Sequence, residues 1–283
     1  MNPRFEPAPA ELSAGGAARL PSRWACAAHK PVFVAFLLVF GVVWVDLLPG
    51  ISVAEGRRWL EPLFWLLAAA TCLVGLARGL PEQNVLMSAS IVAAISFGFA
   101  ATAGKIKVPF GPRSYTDALG GKILGVPWPM PLLWLVVIIN GRDVARLITR
   151  PWRQTPCYGF GVIGLTCGLT VVFDLGFEPF ATHVRQFWSW EANGSGLNWY
   201  SAPWTNFLGW FAAALVILSL TTPWLINKQP AEQPTDYHPV VLWLLLNFYF
   251  ATGNALQQLW PAVGFSLVVS AIVAACAVRG AQS

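Results

Sequence analysis

The stretch WPAVGFSLVVSAIVAACAV, Trp260–Val278, contains nineteen residues and no charged side chain. A single α-helix needs about 20 predominantly apolar residues to cross the roughly 30 Å hydrocarbon core of a bilayer. Because that core contains no water, a crossing segment must pair its own backbone polar groups, and this requirement favours a helix. The stretch therefore predicts a transmembrane helix.

Seven apolar runs of comparable length precede this one. They are Val32–Leu48, Trp59–Ala77, Asn84–Ala103, Pro129–Ile148, Cys157–Phe173, Ala202–Leu225 and Pro239–Leu256. The runs do not alternate apolar and polar residues, as the strands of a transmembrane barrel would. The sequence thus predicts an all-α, multi-pass transmembrane helical bundle of about eight spans over residues 31–279. Residues 1–30 are rich in Pro, Ala and Gly and predict a disordered N-terminal tail.

The composition supports a membrane protein and argues against a nucleic-acid-binding protein. Apolar residues make up 56% of the chain and charged residues 11%, whereas a soluble domain has about 25% charged residues. The net charge of +5 is modest, and basic residues in such a chain mainly set its orientation in the membrane. Their distribution between alternate connections predicts a cytoplasmic N-terminus.

Three of the predicted connections share one face of the membrane, because they follow the first, third and fifth spans. They comprise residues 49–58, 104–128 and 174–201. The last two are the longest connections and hold most of the Gly, Pro, aromatic and acidic residues outside the spans. We therefore expect the chemistry of the protein to be concentrated on this face.

Motifs for metals and nucleotides are weak in this sequence. The three histidines, His29, His183 and His238, are too few for the His clusters of iron-dependent membrane oxygenases. The five cysteines lack metal-ligand spacing. The stretch GFGVIG, residues 159–164, matches a dinucleotide-binding pattern, but no strand precedes it and it opens a predicted span. These glycines indicate close helix packing instead, and we expect neither a metal nor a cofactor.

Carboxylates in an aromatic setting are the remaining candidates for catalysis. Asp46 lies near the end of the first predicted span, and Asp174 and Glu178 lie in the fifth connection. Ionisable residues at membrane depth are costly, which makes them functional candidates. For Asp46, an interfacial helix end explains the sequence equally well.

The fifth connection also has a dense aromatic segment, Phe187–Tyr200. Aromatic faces can line a groove for a long polyene and can stabilise a cation. An aromatic belt at the membrane interface would have a similar composition. The residues alone leave both interpretations open.

Two blocks of sequence resemble a known family. The first is PFGPRSYT, residues 109–116, followed by GVPWPMP, residues 125–131. The second consists of Glu178-Pro179, Trp188-x-Trp190, Trp199-Tyr200, Pro203, Asn206-Phe207 and Gly209-Trp210. Both are similar to the bacterial and archaeal carotenoid biosynthesis membrane proteins, which include carotenoid 1′,2′-hydratases such as bisanhydrobacterioruberin hydratase. The chain departs from the family's Asp-Pro at Glu178-Pro179, and from its Tyr-Tyr-Gly-x-Pro at residues 199–203.

The resemblance implies an enzyme that adds water across the terminal C1–C2 double bond of an acyclic carotenoid, without a cofactor. A carboxylic acid would protonate the alkene and water would capture the tertiary cation. The implied proton donor is Glu178 or Asp46, and the implied groups that position water are Asn206 and Asp174. The implied substrate-binding aromatics are Tyr115, Trp188, Trp190, Trp199, Tyr200, Phe110 and Trp128.

The resemblance also implies a setting and partners. These are a bacterial inner membrane, a carotenoid substrate, the lipid bilayer, other carotenoid-pathway enzymes, and no nucleic acid. A carotenoid cyclase remains an alternative because it shares the first protonation step. A non-catalytic lipid transporter or binding protein is a third, although the two halves of the chain lack the repeat that many transporters have.

Overall fold

A computed structural model describes residues 22–51, 59–106, 109–191, 197–226 and 235–282, with only the backbone described at 104–105. The α-helices in these ranges are α1 (Arg23–Val45), α2 (Leu60–Ala77), α3 (Glu82–Ile106), α4 (Met130–Leu135), α5 (Gly141–Ile148), α6 (Tyr158–Pro179), α7 (Trp204–Leu225), α8 (His238–Leu256) and α9 (Trp260–Gln282). Two π-helical turns, Val136–Asn140 and Phe180–Val184, continue α4 into α5 and extend α6. A short 3₁₀ turn, Arg150–Trp152, follows α5.

The helices confirm the predicted all-α, multi-pass membrane bundle. Within the described residues, seven helices are long and apolar enough to cross a membrane. The eighth predicted span, Pro129–Ile148, corresponds to the continuous rod of α4, the π turn and α5. This rod is less apolar because α5 carries Arg142, Asp143 and Arg146. The chain is therefore an integral membrane protein.

Two helix boundaries differ from those expected. Helix α1 begins at Arg23, inside the segment predicted as a disordered tail, and packs the buried Ala25 and His29 against the bundle; residues 1–21 lie outside the described residues. The prediction that Asp174 and Glu178 lie in a connection is wrong, because both lie on α6. The apolar run stops at Phe173, but the helix continues because the acids that follow are buried and hydrogen-bonded.

Short strands connect the two sequence blocks on one side of the bundle. Strand β1 (Arg113–Tyr115) pairs antiparallel with β4 (Trp188–Trp190), and Arg113 lies opposite Trp190. The ladder continues where the Thr116 amide donates to the Phe187 carbonyl at 3.0 Å. The pairing confirms that these two connections share a face, which we call the motif face and define by residues 109–129, 185–191 and 197–203.

Two further hairpins lie on the motif face. Strand β2 (Lys122–Ile123) pairs with β3 (Val126–Pro127), and β5 (Asn198–Trp199) pairs with β6 (Ala202–Pro203). The second hairpin leads directly into α7, which begins at Trp204. It thereby places Asn206 in the first turn of α7, beside the end of α6.

Glycines permit close packing at positions other than those that the sequence predicted. In the described structure, a Cβ added at Gly159, Gly161 or Gly164 would meet no atom within 4 Å outside its own helix turns. The prediction that these glycines bring helices together is therefore wrong. At Gly209 an added Cβ would lie 2.8 Å from Phe110 Cδ1 and 3.1 Å from the Pro109 carbonyl oxygen, so this glycine lets the first block pack on α7.

Candidate active site

The last turns of α6 present two acids on one side of the helix. Asp174 and Glu178 are four residues apart, a spacing that places side chains on the same helix face. Their exposed fractions are 0% and 1%. Asn206 Nδ2 donates to Asp174 Oδ2 at 2.7 Å and lies 3.4 Å from Glu178 Oε2. One amide thus bridges the two buried carboxyl groups.

Two tryptophans of β4 converge on the second acid. Alternate residues of a strand point to the same side, so Trp188 and Trp190 face the end of α6 together. Their indole Nε1 atoms donate to Glu178 Oε1 at 2.8 and 2.6 Å. Together with the Asn206 amide, these bonds give Glu178 three neutral hydrogen-bond donors.

Arg113 of β1 supplies the positive charge of the site. Its guanidinium carbon lies over four aromatic rings, at 4.8 Å from the centroid of Phe110, 5.0 Å from Tyr115, 5.3 Å from Trp188 and 5.9 Å from Trp190. The side chain is buried and close enough to influence both acids electrostatically. Four of the aromatic residues implied to bind the substrate therefore surround an arginine of the protein itself.

Several buried polar atoms of this cluster have no hydrogen-bond partner among the described residues. They are Arg113 Nε and Nη1, the Tyr115 hydroxyl, Asp174 Oδ1 and Asn206 Oδ1. Buried polar groups are normally hydrogen-bonded, so their concentration here suits a polar ligand such as water or a hydroxyl group. Burial raises the pKa of the Tyr115 phenol, an effect that Arg113 only partly opposes, so this phenol stays neutral.

A family model described as "Carotenoid biosynthesis protein" matches residues 60–273. The chain belongs to this family. Curated proteins and solved structures yielded no match. The matched region contains every member of the cluster around Asp174 and Glu178, whereas Asp46 on the α1 side lies outside it. A role in the carotenoid pathway follows from family membership.

The structure places Asp46 in a second charged cluster of this carotenoid biosynthesis protein. Arg185, directly after the second π turn, donates from Nη1 to Asp46 Oδ2 at 2.8 Å. Its Nε lies 2.9 Å from Glu61 Oε1, and its Nη2 donates to the Tyr249 hydroxyl at 2.8 Å. Burial alone would lower the pKa of Arg185, but Glu61 and its other partners raise it overall. Asp46 is therefore held by a permanently charged arginine.

The remaining predicted residues occupy two places on the motif face. Trp199 Nε1 donates to the Leu175 carbonyl at 2.9 Å, which ties β5 to α6 between the two acids. The Tyr200 hydroxyl accepts from the Ala262 amide at 3.2 Å and ties the same hairpin to α9. Trp128 is 41% exposed and lines a separate cavity of about 520 Å³ with Trp59 and Asp117. The structure thus does not bring Trp128 to the acids.

Sequence patterns did not reveal four members of the two clusters: Arg113, Glu61, Arg185 and Tyr249. Arg113 stands inside the block PFGPRSYT, where its place among aromatic residues was the available signal. Glu61 and Arg185 lie at helix ends on the same face as Asp46, so opposite charges at matching depths could have indicated the second cluster.

Proposed function

We propose that this protein is a carotenoid hydratase that adds water across the terminal C1–C2 double bond of an acyclic ψ-end group. The observation that carries the proposal is the buried pair of Asp174 and Glu178, which one amide bridges and two indoles contact. Such a pair can hold and exchange a proton without redox chemistry. The resemblance and the family membership direct that acid–base chemistry to a carotenoid.

The pair offers an acid and a base to one reaction. Two carboxyl groups in close proximity in an apolar site do not both ionise readily, and one arginine beside them balances a single negative charge. Three neutral donors stabilise charge on Glu178, whereas only Asn206 donates to Asp174. We therefore assign the proton to Asp174 and the carboxylate to Glu178.

The reaction then follows from these assignments. Asp174 transfers its proton to C2 of the alkene, and the π electrons form the new C–H bond, which leaves a tertiary cation at C1. A water oxygen bonds to C1 and releases a proton to Glu178, which yields a tertiary alcohol. Transfer of a proton from Glu178 to Asp174 restores the starting state. General acid–base catalysis of this kind contributes about 10²–10⁴-fold to a rate.

Neighbouring side chains have supporting roles in this proposal. The unpaired Asn206 Oδ1 and Tyr115 hydroxyl suit a bound water. Trp188 and Trp190 hold the Glu178 carboxylate beside the developing cation and contribute apolar surface for the polyene. Arg113 keeps the pair at a single negative charge.

The test is to express the protein in a host that accumulates lycopene or γ-carotene, in ¹⁸O-labelled water and without oxygen. We expect a pigment heavier by one labelled water, and no such pigment from the Asp174→Asn variant. A pigment of unchanged mass but altered retention would identify a cyclase instead. An unmodified pigment pool, with the protein verified in the membrane, would contradict the proposal and favour a non-catalytic binding protein.

A further inference from the structure

The face opposite the motif face has a polar cavity of about 1240 Å³. Three of the side chains that line it converge on one point: His29 from α1, Asp236 from the segment before α8, and His238 at the start of α8. His29 Nε2 lies 3.0 Å from His238 Nδ1 and 3.2 Å from Asp236 Oδ2. His238 Nδ1 lies 2.6 Å from Asp236 Oδ1. Each of the three groups therefore contacts the other two.

Hydrogen bonds alone do not satisfy this triangle. Each of its three contacts would need its own hydrogen, but an ionised carboxylate supplies none and each ring nitrogen carries at most one. Whichever tautomers His29 and His238 adopt, one contact joins two atoms with no hydrogen between them. With the carboxylate ionised, a cation at the centre would satisfy all three contacts at once.

The donor set suits a transition metal. Zinc is bound by imidazole nitrogen and carboxylate oxygen at about 2.0–2.2 Å, and a tetrahedral site with such bonds has ligand atoms about 3.3–3.4 Å apart. The observed separations of 2.6, 3.0 and 3.2 Å would each have to widen around such an ion, by about 0.1–0.8 Å. Calcium and magnesium prefer sites made of oxygen ligands, so two imidazoles favour a zinc-like ion over either.

The surroundings of the triangle resemble the outer shell of a metal site. Ligating carboxylates are usually hydrogen-bonded by a further residue that fixes their orientation. Arg78 forms a salt bridge with Asp236 Oδ2, and the His238 amide donates to Asp236 Oδ1 at 2.9 Å. His29 is 5% exposed and is carried on a long helix, so the first ligand is held rigidly.

We propose that His29, Asp236 and His238 bind one divalent transition-metal ion with the ligand preferences of Zn²⁺. Three protein ligands leave a coordination position for water or a small anionic ligand, as in catalytic zinc sites. Arg146, Arg150 and Arg153 line the same cavity and suit an anion at that position. The site lies on the face opposite Asp174 and Glu178 and does not depend on the proposed hydratase activity.

The test measures metal binding directly. The full-length protein, purified in detergent with a histidine-free tag, is stripped with a chelator and titrated with Zn²⁺ and Co²⁺. We expect one metal per chain by elemental analysis, a visible Co²⁺ absorption spectrum, and displacement of Co²⁺ by Zn²⁺. His29→Ala and His238→Ala should each weaken binding at least tenfold, whereas His183→Ala, which changes the one histidine outside the triangle, should leave it unchanged.

Two results would overturn the proposal. One is a metal content in the His29→Ala/His238→Ala double variant equal to that of the wild type. The other is a wild-type chain that shows no Co²⁺ spectrum and no bound Zn²⁺, a result that counts even if the variants fail to fold. In either case the triangle would be only a hydrogen-bonded cluster.

Discussion

Replacing Glu178 with glutamine tests the proposed base with a minimal change in shape. Glu178 Oε1 accepts both indole hydrogens, and Oε2 faces the Asn206 amide nitrogen. A glutamine keeps the indole bonds only if its carbonyl takes the Oε1 position. Its NH₂ group then faces the Asn206 NH₂ group, and donor meets donor at about the 3.4 Å separation seen in the structure.

The expected loss of stability is much smaller than the expected loss of rate. The variant loses one weak hydrogen bond and the charge on the acceptor of two others, which together should cost about 1–3 kcal/mol of folding free energy. Loss of the base should lower turnover by about 10²–10⁴-fold. The loss of folding free energy is small enough for the variant to remain folded, whereas the loss of the base should leave the folded variant nearly inactive.

The assay is the rate of hydrated carotenoid formation in membranes, divided by the amount of monodisperse protein recovered in detergent. Glu191→Gln makes the same chemical change at an exposed position on the motif face and should retain wild-type activity. If Glu178→Gln kept more than about a tenth of the wild-type rate, a loss below the range for a general base, Glu178 would not be the base.

Two further variants test the packing around the site. Gly209→Ala places a Cβ 2.8 Å from Phe110 and should lower the free energy of unfolding by about 1–3 kcal/mol, seen as a lower melting temperature in detergent. The control Gly164→Ala, whose added Cβ has nothing within 4 Å, should not lower the melting temperature. Equal melting temperatures for the two variants would contradict the close approach at Gly209. Asp46→Asn removes a 2.8 Å ion pair with Arg185 and should lower stability by about 1–3 kcal/mol. Its rate per folded molecule should match the wild type, and a loss as large as that of Glu178→Gln would make Asp46 the proton donor.

The bundle could be predicted from the sequence because the bilayer imposes one length on every span. Apolar runs such as Trp59–Ala77 therefore match their helices almost residue for residue. The same criterion failed at α6, because the apolar run ends just before Asp174 whereas the helix continues to Pro179. A hydropathy scale scores every acid as if it were exposed to water. It takes no account of a partner such as Asn206, which donates a hydrogen bond to Asp174 inside the protein.

The candidate site could be predicted only as far as a shared face. Alternation of spans placed the two blocks together, and the pairing of β1 with β4 agrees. The alternation of spans could not show that the indoles of Trp188 and Trp190 both donate to one oxygen of Glu178, because that contact depends on the strand register. The triangle of His29, Asp236 and His238 could not be predicted from the sequence. His29 and His238 are 209 positions apart, and no local spacing connects them.

The cluster around Asp174 and Glu178 and the cluster around Asp46 have matching charged residues, and their geometry separates their proposed roles. Each has two acids and one arginine. Arg185 contacts Asp46 and Glu61 directly, at 2.8 and 2.9 Å, so a full positive charge touches both acids.

Arg113 instead lies over aromatic rings, and its Nε and Nη1 atoms have no hydrogen-bond partner among the described residues. The donors that contact those two acids are neutral indole and amide groups. Neutral donors favour the carboxylate form less strongly than an arginine in direct contact does, so one of the two acids can keep a proton. The difference explains why proton transfer to an alkene is assigned to the end of α6, while the Asp46 cluster anchors α1 to the bundle.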